Sequence, residues 1–267
     1  MANLDLYFVK SFTQDPELGN PVAVCLIQED LREDIYFKIT RQTGFSECVF
    51  IRTTETNPML RFFSPKQEMN MCGHATLAAA HLLQNKNYTT SYQTKAGAVN
   101  IEYQEDGLIS MTLTSPPTHY SDFVSTKRIA ELLNINTNTI KSSPVKISVG
   151  TPKILVELDS IESLLKLKPN FTAIAAEIPQ GIYPFVKNTP SKYYARQFNP
   201  ATGINEDPVT GVAAGALGIH LKNQNIFQFS VEQGHVLNKV GTIFVDVANG
   251  VKIGGHAVVY DKISVKI

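Results

Sequence analysis

The sequence predicts an α+β protein of two pseudo-symmetric lobes, each a strongly curved, mostly antiparallel sheet wrapped around a central helix. Three observations predict it. Short apolar or alternating runs of strand length recur along the chain, two helical stretches are small or apolar on nearly every face, and the chain repeats itself at a spacing of 135 residues.

The strand-like runs are "LDLYFVKSF", "VAVCLI", "CVFIRT", "MLRFF", "AVNIEY" and "GLISMTL" in the first part, then "VKISVG", "KILVEL", "YPFVK", "YYARQF", "IFQFSVEQ", "GTIFVDVA" and "HAVVYDKISVKI". Helical patterns are fewer: residues 30–42, the stretch after Cys72, residues 125–133, residues 159–167 and the stretch after Asp207. Asp159 with Glu162 three residues on resembles a capping box. The prolines and small polar residues of "TSPPTHYSD" mark a linker near 114–123. The chain then divides into an N-terminal lobe, 1–116, and a C-terminal lobe, 117–267, with the final strand free to return to the first.

The repeat lays "RFFSPKQEMNMCGHATLAAAHL" (61–82) on "RQFNPATGINEDPVTGVAAGAL" (196–217), with seven of 22 positions identical. Arg61 falls on Arg196, Phe63 on Phe198 and Pro65 on Pro200, and the helix residues Ala78 and Ala79 fall on Ala213 and Ala214. A shift of 131 also places "GNPVAVCLI" (19–27) over "GTPKILVEL" (150–158). The repeated helices, "ATLAAAHLL" and "TGVAAGALG", lack the polar stripe of a surface helix and must be enclosed, and their Ala and Gly residues let a sheet approach the helix axis closely. Both are expected to begin at the aligned Cys72 and Asp207. Two buried helix N-termini facing each other across the gap between the lobes would bind an anion such as a carboxylate.

Composition narrows the partner. Lys plus Arg equals Asp plus Glu at 24 each, so nothing favours nucleic acid or a membrane surface, and a small molecule is the expected ligand. No stretch reaches 18 uncharged apolar residues, and Cys25, Cys48 and Cys72 form no Cys-x-x-Cys, which points to a reducing compartment and the cytoplasm. Cys72, His74 and His81 lack metal-ligand spacing, "GINEDPVTG" lacks the Lys-Ser/Thr of a phosphate loop, and no Rossmann fingerprint follows a strand. Neither a metal site built from Cys72, His74 and His81 nor nucleotide binding is expected from these residues.

The candidate chemistry lies in three places. In "GFSECVFI", alternation puts Glu47 on one face with Val49 and Ile51, so burial should raise its pKa, the setting of a general acid/base. The 135-residue shift sets Ile182 opposite, so the acid occurs in one half only. His74, near a helix N-terminus, is expected to be a neutral imidazole. Asp207 is readable as an N-cap with Pro208 at the first helical position. Arg61 and Arg196 are expected to pair with strand neighbours. Cys72 is a nucleophile, an acid/base thiol, a metal ligand or the lip of a buried helix, and at a helix N-terminus its thiol is expected to be easily ionised.

The blocks "GNPVAV" (19–24), "FSECVFI" (45–51), "RFFSP...MCGHATLAAA" (61–80) and "ARQFNPATGINEDPVTGVAAGALG" (195–218) resemble the PhzF family, named for the phenazine-biosynthesis isomerase and built on the diaminopimelate epimerase fold. The resemblance covers essentially the whole chain. It implies a site in the cleft between pseudo-symmetric lobes, a homodimer, and catalysis without metal or organic cofactor. It implies Glu47 as the acid/base, with Ser46, Gly73, His74, Asp207 and Gly211 around the substrate; beside them Cys72 is read as a helix-start residue lining the cleft. Val212 stands where the family often has a serine, so one hydroxyl is lost while the backbone N–H remains. Gln233 and Gly234 are followed by "HVLNKVGT" where the family often reads Gly-Arg-Pro-Ser. The expected function is a cofactor-independent isomerase that moves a proton within a small carboxylate. The alternatives are an amino-acid racemase using Cys72, or a non-catalytic binding protein on the same fold.

Overall fold

The computed structural model describes residues 3–53, 57–85, 90–121 and 124–266. Asp122 and Phe123 of the expected linker, and Ile267 of the last expected strand, lie outside the described residues. The chain forms two compact units, residues 1–114 with 254–267, and residues 115–253. Among the described residues no helix is long and apolar enough to cross a membrane.

In the first unit, β1 (Asn3–Ser11) lies antiparallel to β2 (Asn20–Ile27). A crossover through α1 (Glu33–Thr43), ended by Gly44 in the left-handed region (φ 70°), returns the chain as β3 (Cys48–Arg52), parallel to β2. Next come β4 (Met59–Phe63), antiparallel to β3, and the short β5 (Glu68–Met69). α2 (Gly73–Leu83) follows, and then the antiparallel meander of β6 (Ser91–Thr94), β7 (Gly97–Tyr103) and β8 (Ile109–Leu113). Every residue of α2 from Gly73 to Ala80 is buried, against β1, β2, β3, β4 and β8. A helix so enclosed needs small side chains, and the Ala run supplies them at the best helix propensity. On the other side of β2–β4, α1 packs Tyr36 and Ile39 against Phe50 and Phe63.

The second unit repeats this plan with additions. β9 (Thr118–Tyr120), α3 (Thr126–Leu133), β10 (Val145–Ser148) and β11 (Lys153–Glu157) come first, with β10 antiparallel to both β9 and β11. A crossover through α4 (Ile161–Leu165) and α5 (Phe171–Glu177) leads to β12 (Ile182–Thr189), parallel to β11. The chain then runs through β13 (Lys192–Ala195), β14 (Gln197–Asn199) and β15 (Ile204–Asp207) into α6 (Gly211–Lys222). β16 (Gln228–Gln233) lies parallel to β13 and antiparallel to β17 (Gly241–Asp246). Gly218 of α6 sits so close to the strand side chains that a Cβ there would meet Val247 Cγ1 at 2.7 Å and Val245 Cγ1 at 2.9 Å. After β18 (Val251–Gly255), β19 (Ala257–Lys266) runs antiparallel along β1 in the first unit.

The internal repeat is thus visible in topology: β2 beside β3 and β11 beside β12 are parallel pairs, each followed by an antiparallel strand and then an enclosed helix. Its arginines also correspond. Arg61 pairs with Glu68 through two bonds of 2.8 and 3.0 Å, and its guanidinium lies over Tyr36 and Phe63. Arg196 pairs with Glu206 at 2.8 and 2.7 Å, donates to the carbonyls of Leu164 and Leu167, and lies over Phe198.

Four local expectations are corrected. The stretch read as a linker contains β9, because Thr118–Tyr120 finds a partner edge in β10. The α4 cap is Ser160, whose hydroxyl oxygen accepts from the Ser163 amide at 3.2 Å, while Asp159 accepts from that same hydroxyl. α5 has no counterpart in the pattern analysis; it is seven residues long, with Ile174 its buried residue, so it shows almost no periodicity. The second enclosed helix begins at Gly211, four residues after the Asp207 expected to start it, with Thr210 as its N-cap, because Asp207 still pairs with Gln197 as the last residue of β15.

Candidate active site

Two residues before β3 the chain leaves the α1 turn through Phe45 and Ser46, and Glu47 sits at the mouth of the strand. Cys48, Val49, Phe50 and Ile51 are all fully buried, so the strand has no polar face and Glu47 is not one of an alternating set. Its side chain is nonetheless only 11% exposed. The first turn of α2 brings the rest. Cys72 is the N-cap in extended conformation, and its side chain makes no capping bond, which leaves the sulfur to approach His74 Nδ1 at 3.4 Å. Nε2 of the same ring stands 3.3 Å from Glu47 Oε2. That is ion-pair distance, but the approach is off hydrogen-bond alignment, and Oε2 is buried without a hydrogen-bond partner. The backbone is held firmly: the Ser11 hydroxyl donates to the His74 carbonyl at 2.7 Å, and Thr76 donates to the Cys72 carbonyl through both its amide and its hydroxyl.

The charges follow from this arrangement. Burial acts to raise the Glu47 carboxyl, but the adjoining His74 imidazolium and the Ser46 side chain favour the anion and hold it below the ordinary carboxylate value. Burial likewise opposes charge on His74, but the Cys72 sulfur and the Glu47 carboxylate on either side of the ring raise it well above the ordinary histidine value. Both directions reverse the expectations of a raised Glu47 and a neutral His74. The side-chain partners outweigh the burial and the helix terminus from which those expectations were drawn. Gly73 and His74 occupy the first helical turn, where the backbone N–H groups precede the first intrahelical bond, from Thr76 to Cys72.

In the second unit, Gly211 and Val212 open α6, and Asp207 stands four residues before Gly211. The Thr210 hydroxyl donates a short hydrogen bond to Asp207 Oδ2. Gln233 ties the corner together: its Nε2 donates to the Asp207 carbonyl at 2.8 Å, and its Oε1 accepts from the Thr210 amide at 3.2 Å and from the Tyr183 hydroxyl at 3.3 Å. Nearby, Lys153 is 4% exposed and donates to the Gln180 carbonyl at 2.9 Å. Burial lowers its pKa to about 8, against a raising influence of Asp207.

Glu47, Ser46, Cys72, Gly73 and His74 therefore belong to the first unit, and Asp207, Gly211 and Val212 to the second. Sequence reasoning passed over Thr210, Tyr183, Gln233 and Lys153 as site residues. Gln233 stands out in the sequence only as half of a Gln-Gly pair, and nothing in "GTPKILVEL" marks its lysine as buried. Among the described residues, Glu47, Cys72 and His74 also offer three metal-ligand atoms within 4.8 Å of one another. Cys25 and Cys48 are free and buried, and burial pushes the Cys25 thiol up to about 12.

The model of the phenazine biosynthesis-like protein family, PhzC-PhzF, matches residues 9–262. The uncharacterized isomerase YfhB of Bacillus subtilis is 33% identical, across 96% of this chain and 94% of its own. A crystal structure of the Bacillus anthracis phenazine biosynthesis protein of the PhzF family superposes with a TM-score of 0.87 at 27% identity, covering both chains completely. The corresponding Enterococcus faecalis structure gives 0.85 at 25% identity, again over both whole chains.

Proposed function

The chain belongs to the phenazine biosynthesis-like PhzC-PhzF family of isomerases, and on that premise we propose that it moves one proton within a small carboxylate-bearing metabolite without a cofactor. The observation that carries the reading is the buried contact between Glu47 and His74 at the mouth of β3, beside the opening turn of α2. Glu47 is held ionised, in the form that accepts a proton, and its partner is a histidine held protonated. In the proposed step Glu47 takes a proton from carbon, the C–H electron pair shifts into a new double bond as the old one moves, and the same proton returns to the other end. The product is an isomer, so no oxidant, reductant or second substrate is needed. His74 balances the charge that appears and disappears on Glu47.

Ser46, Cys72, Gly73 and His74 from the first unit, and Asp207, Gly211 and Val212 from the second, are the proposed substrate contacts. The substrate carboxylate would take the N–H groups that open α2, beside Glu47, where the helix dipole favours negative charge. A homodimer is the proposed working form. One observation favours the racemase alternative: the Cys72 sulfur has His74 at 3.4 Å. Against it, the position aligned with Cys72 in the second half holds Asp207, so no second thiol is present for a two-base exchange.

The test is carbon-bound deuterium uptake from heavy water. A panel of small cyclic and acyclic unsaturated carboxylic acids is incubated with the protein and read by NMR. Exchange at the carbons flanking a double bond is expected for at least one class. Exchange confined to the α-carbon of saturated amino acids would replace this reading with the racemase.

A further inference from the structure

We propose that Glu47, Cys72 and His74 form a binding site for one thiophilic divalent cation such as Zn²⁺, which switches the proton-transfer pair off while bound. The inhibition rests on the function proposed above; the binding does not. Zinc in a four-coordinate site sits about 2.0–2.3 Å from its N, O and S ligands, which sets N–O pairs about 3.4 Å apart and pairs involving sulfur about 3.6 Å apart. Here His74 Nε2 lies 3.3 Å from Glu47 Oε2 and 4.0 Å from Cys72 Sγ, and all three ligand atoms fall within 4.8 Å of one another. The His74–Glu47 pair is already at the required spacing, and the sulfur must move in by up to about 1 Å, the scale of a side-chain torsion change, to complete the set.

One further observation points to a ligand. Glu47 Oε2 is buried with no hydrogen-bond partner, and a cation would complete it. Binding a cation would release the protons of the thiol and the imidazolium, and the divalent ion would then neutralise the two negative charges of the resulting thiolate and carboxylate. The scaffold is also rigid where it matters. Ser11 fixes the His74 carbonyl and Thr76 fixes the Cys72 carbonyl, so Sγ and the ring are presented by an anchored helix start. Three protein ligands leave the fourth position to water. A cation there holds both the carboxylate that accepts the proton and the imidazole that balances it, so catalysis and metal occupancy exclude each other.

The probe is Co²⁺, which reports a thiolate ligand by a near-ultraviolet charge-transfer band. Titrated into the full chain with a non-thiol reductant, Co²⁺ is expected to produce that band at one ion per chain, and Zn²⁺ to abolish it by displacement. Cys72→Ser should lose the band, and Glu47→Gln should weaken Zn²⁺ binding by at least about tenfold. Cys25→Ser and Cys48→Ser should retain the band. Thermal unfolding with Zn²⁺ checks each variant: the wild-type Tm should rise with the ion, and that of folded Cys72→Ser should not. Absence of the band, or a band undiminished in Cys72→Ser, overturns the site. None of these readouts involves turnover, so a failure of the isomerase reading would leave the metal result standing. The reverse also holds.

Discussion

The two units share a plan and differ in what they place at the start of the enclosed helix. In the first, Cys72 caps α2 with no side-chain bond, and its sulfur, the His74 ring and the Glu47 carboxylate form a chain of titratable groups. In the second, Thr210 caps α6 and donates to Asp207, while Gln233 holds that corner with neutral hydrogen bonds. Position 182, which the 135-residue repeat sets against Glu47, is a fully buried isoleucine. One copy of a duplicated design therefore carries a run of titratable side chains, and the other carries fixed polar groups. The ion pairs differ in the opposite sense. Arg196 and Glu206 are 5% and 9% exposed in their side chains, against 24% and 13% for Arg61 and Glu68, so the second unit depends more on its buried pair.

The largest expected effect separates those two pairs. Glu206→Gln should cost about 3–5 kcal/mol of stability, because it strands a buried guanidinium. Glu68→Gln should cost about 1 kcal/mol, since Arg61 also reaches Asp30 and sits closer to water. Urea unfolding of both variants measures this, and equal losses would erase the contrast.

Lys153 sharpens the comparison through pH. Its folded pKa is about 8, below the ordinary lysine value near 10.5, so within that window the unfolded chain binds the extra proton. Its contribution to stability therefore rises with pH from about 8 to about 10.5, and its cost is fully present below about 8. Measured against Lys153→Met, the wild type should gain up to about 3 kcal/mol between pH 7 and pH 10.5. A difference that stays flat would mean the ammonium is not desolvated.

The smallest effect concerns the first unit's thiol. Cys72→Ser keeps a hydrogen-bonding group beside His74 and adds a good N-cap, so folding should be preserved. Turnover should fall by less than about tenfold, roughly 1.4 kcal/mol in the barrier. A larger loss would make the thiol the proton carrier.

The features legible in the sequence were those with a period or a composition of their own. The enclosed helices announced themselves by lacking a polar stripe, and in both "RFFSP" and "RQFNP" the arginine stacks on the phenylalanine two residues further along the chain. What depends on distant partners was not legible. The ionisation of Glu47 and His74 follows from side chains that the fold brings within 3.4 Å, whereas local pattern registers only burial and the helix terminus. The start of α6 was misplaced for a similar reason. The repeat aligns Asp207 with Cys72, but β15 continues through Asp207, and Pro208 and Val209 separate it from the cap. Gln233 gave no sign that it binds two backbone groups from a loop more than twenty residues away.

The central claim is that Glu47 carries the proton. The direct measurement is the rate of deuterium wash-in for the wild type and Glu47→Gln on whichever unsaturated acid the panel identifies, with Tm recorded for both. The amide is close in size and cannot exchange a proton, so the account predicts an unchanged fold and a loss of about a hundredfold or more. A folded variant retaining more than about a tenth of the wild-type rate would contradict it.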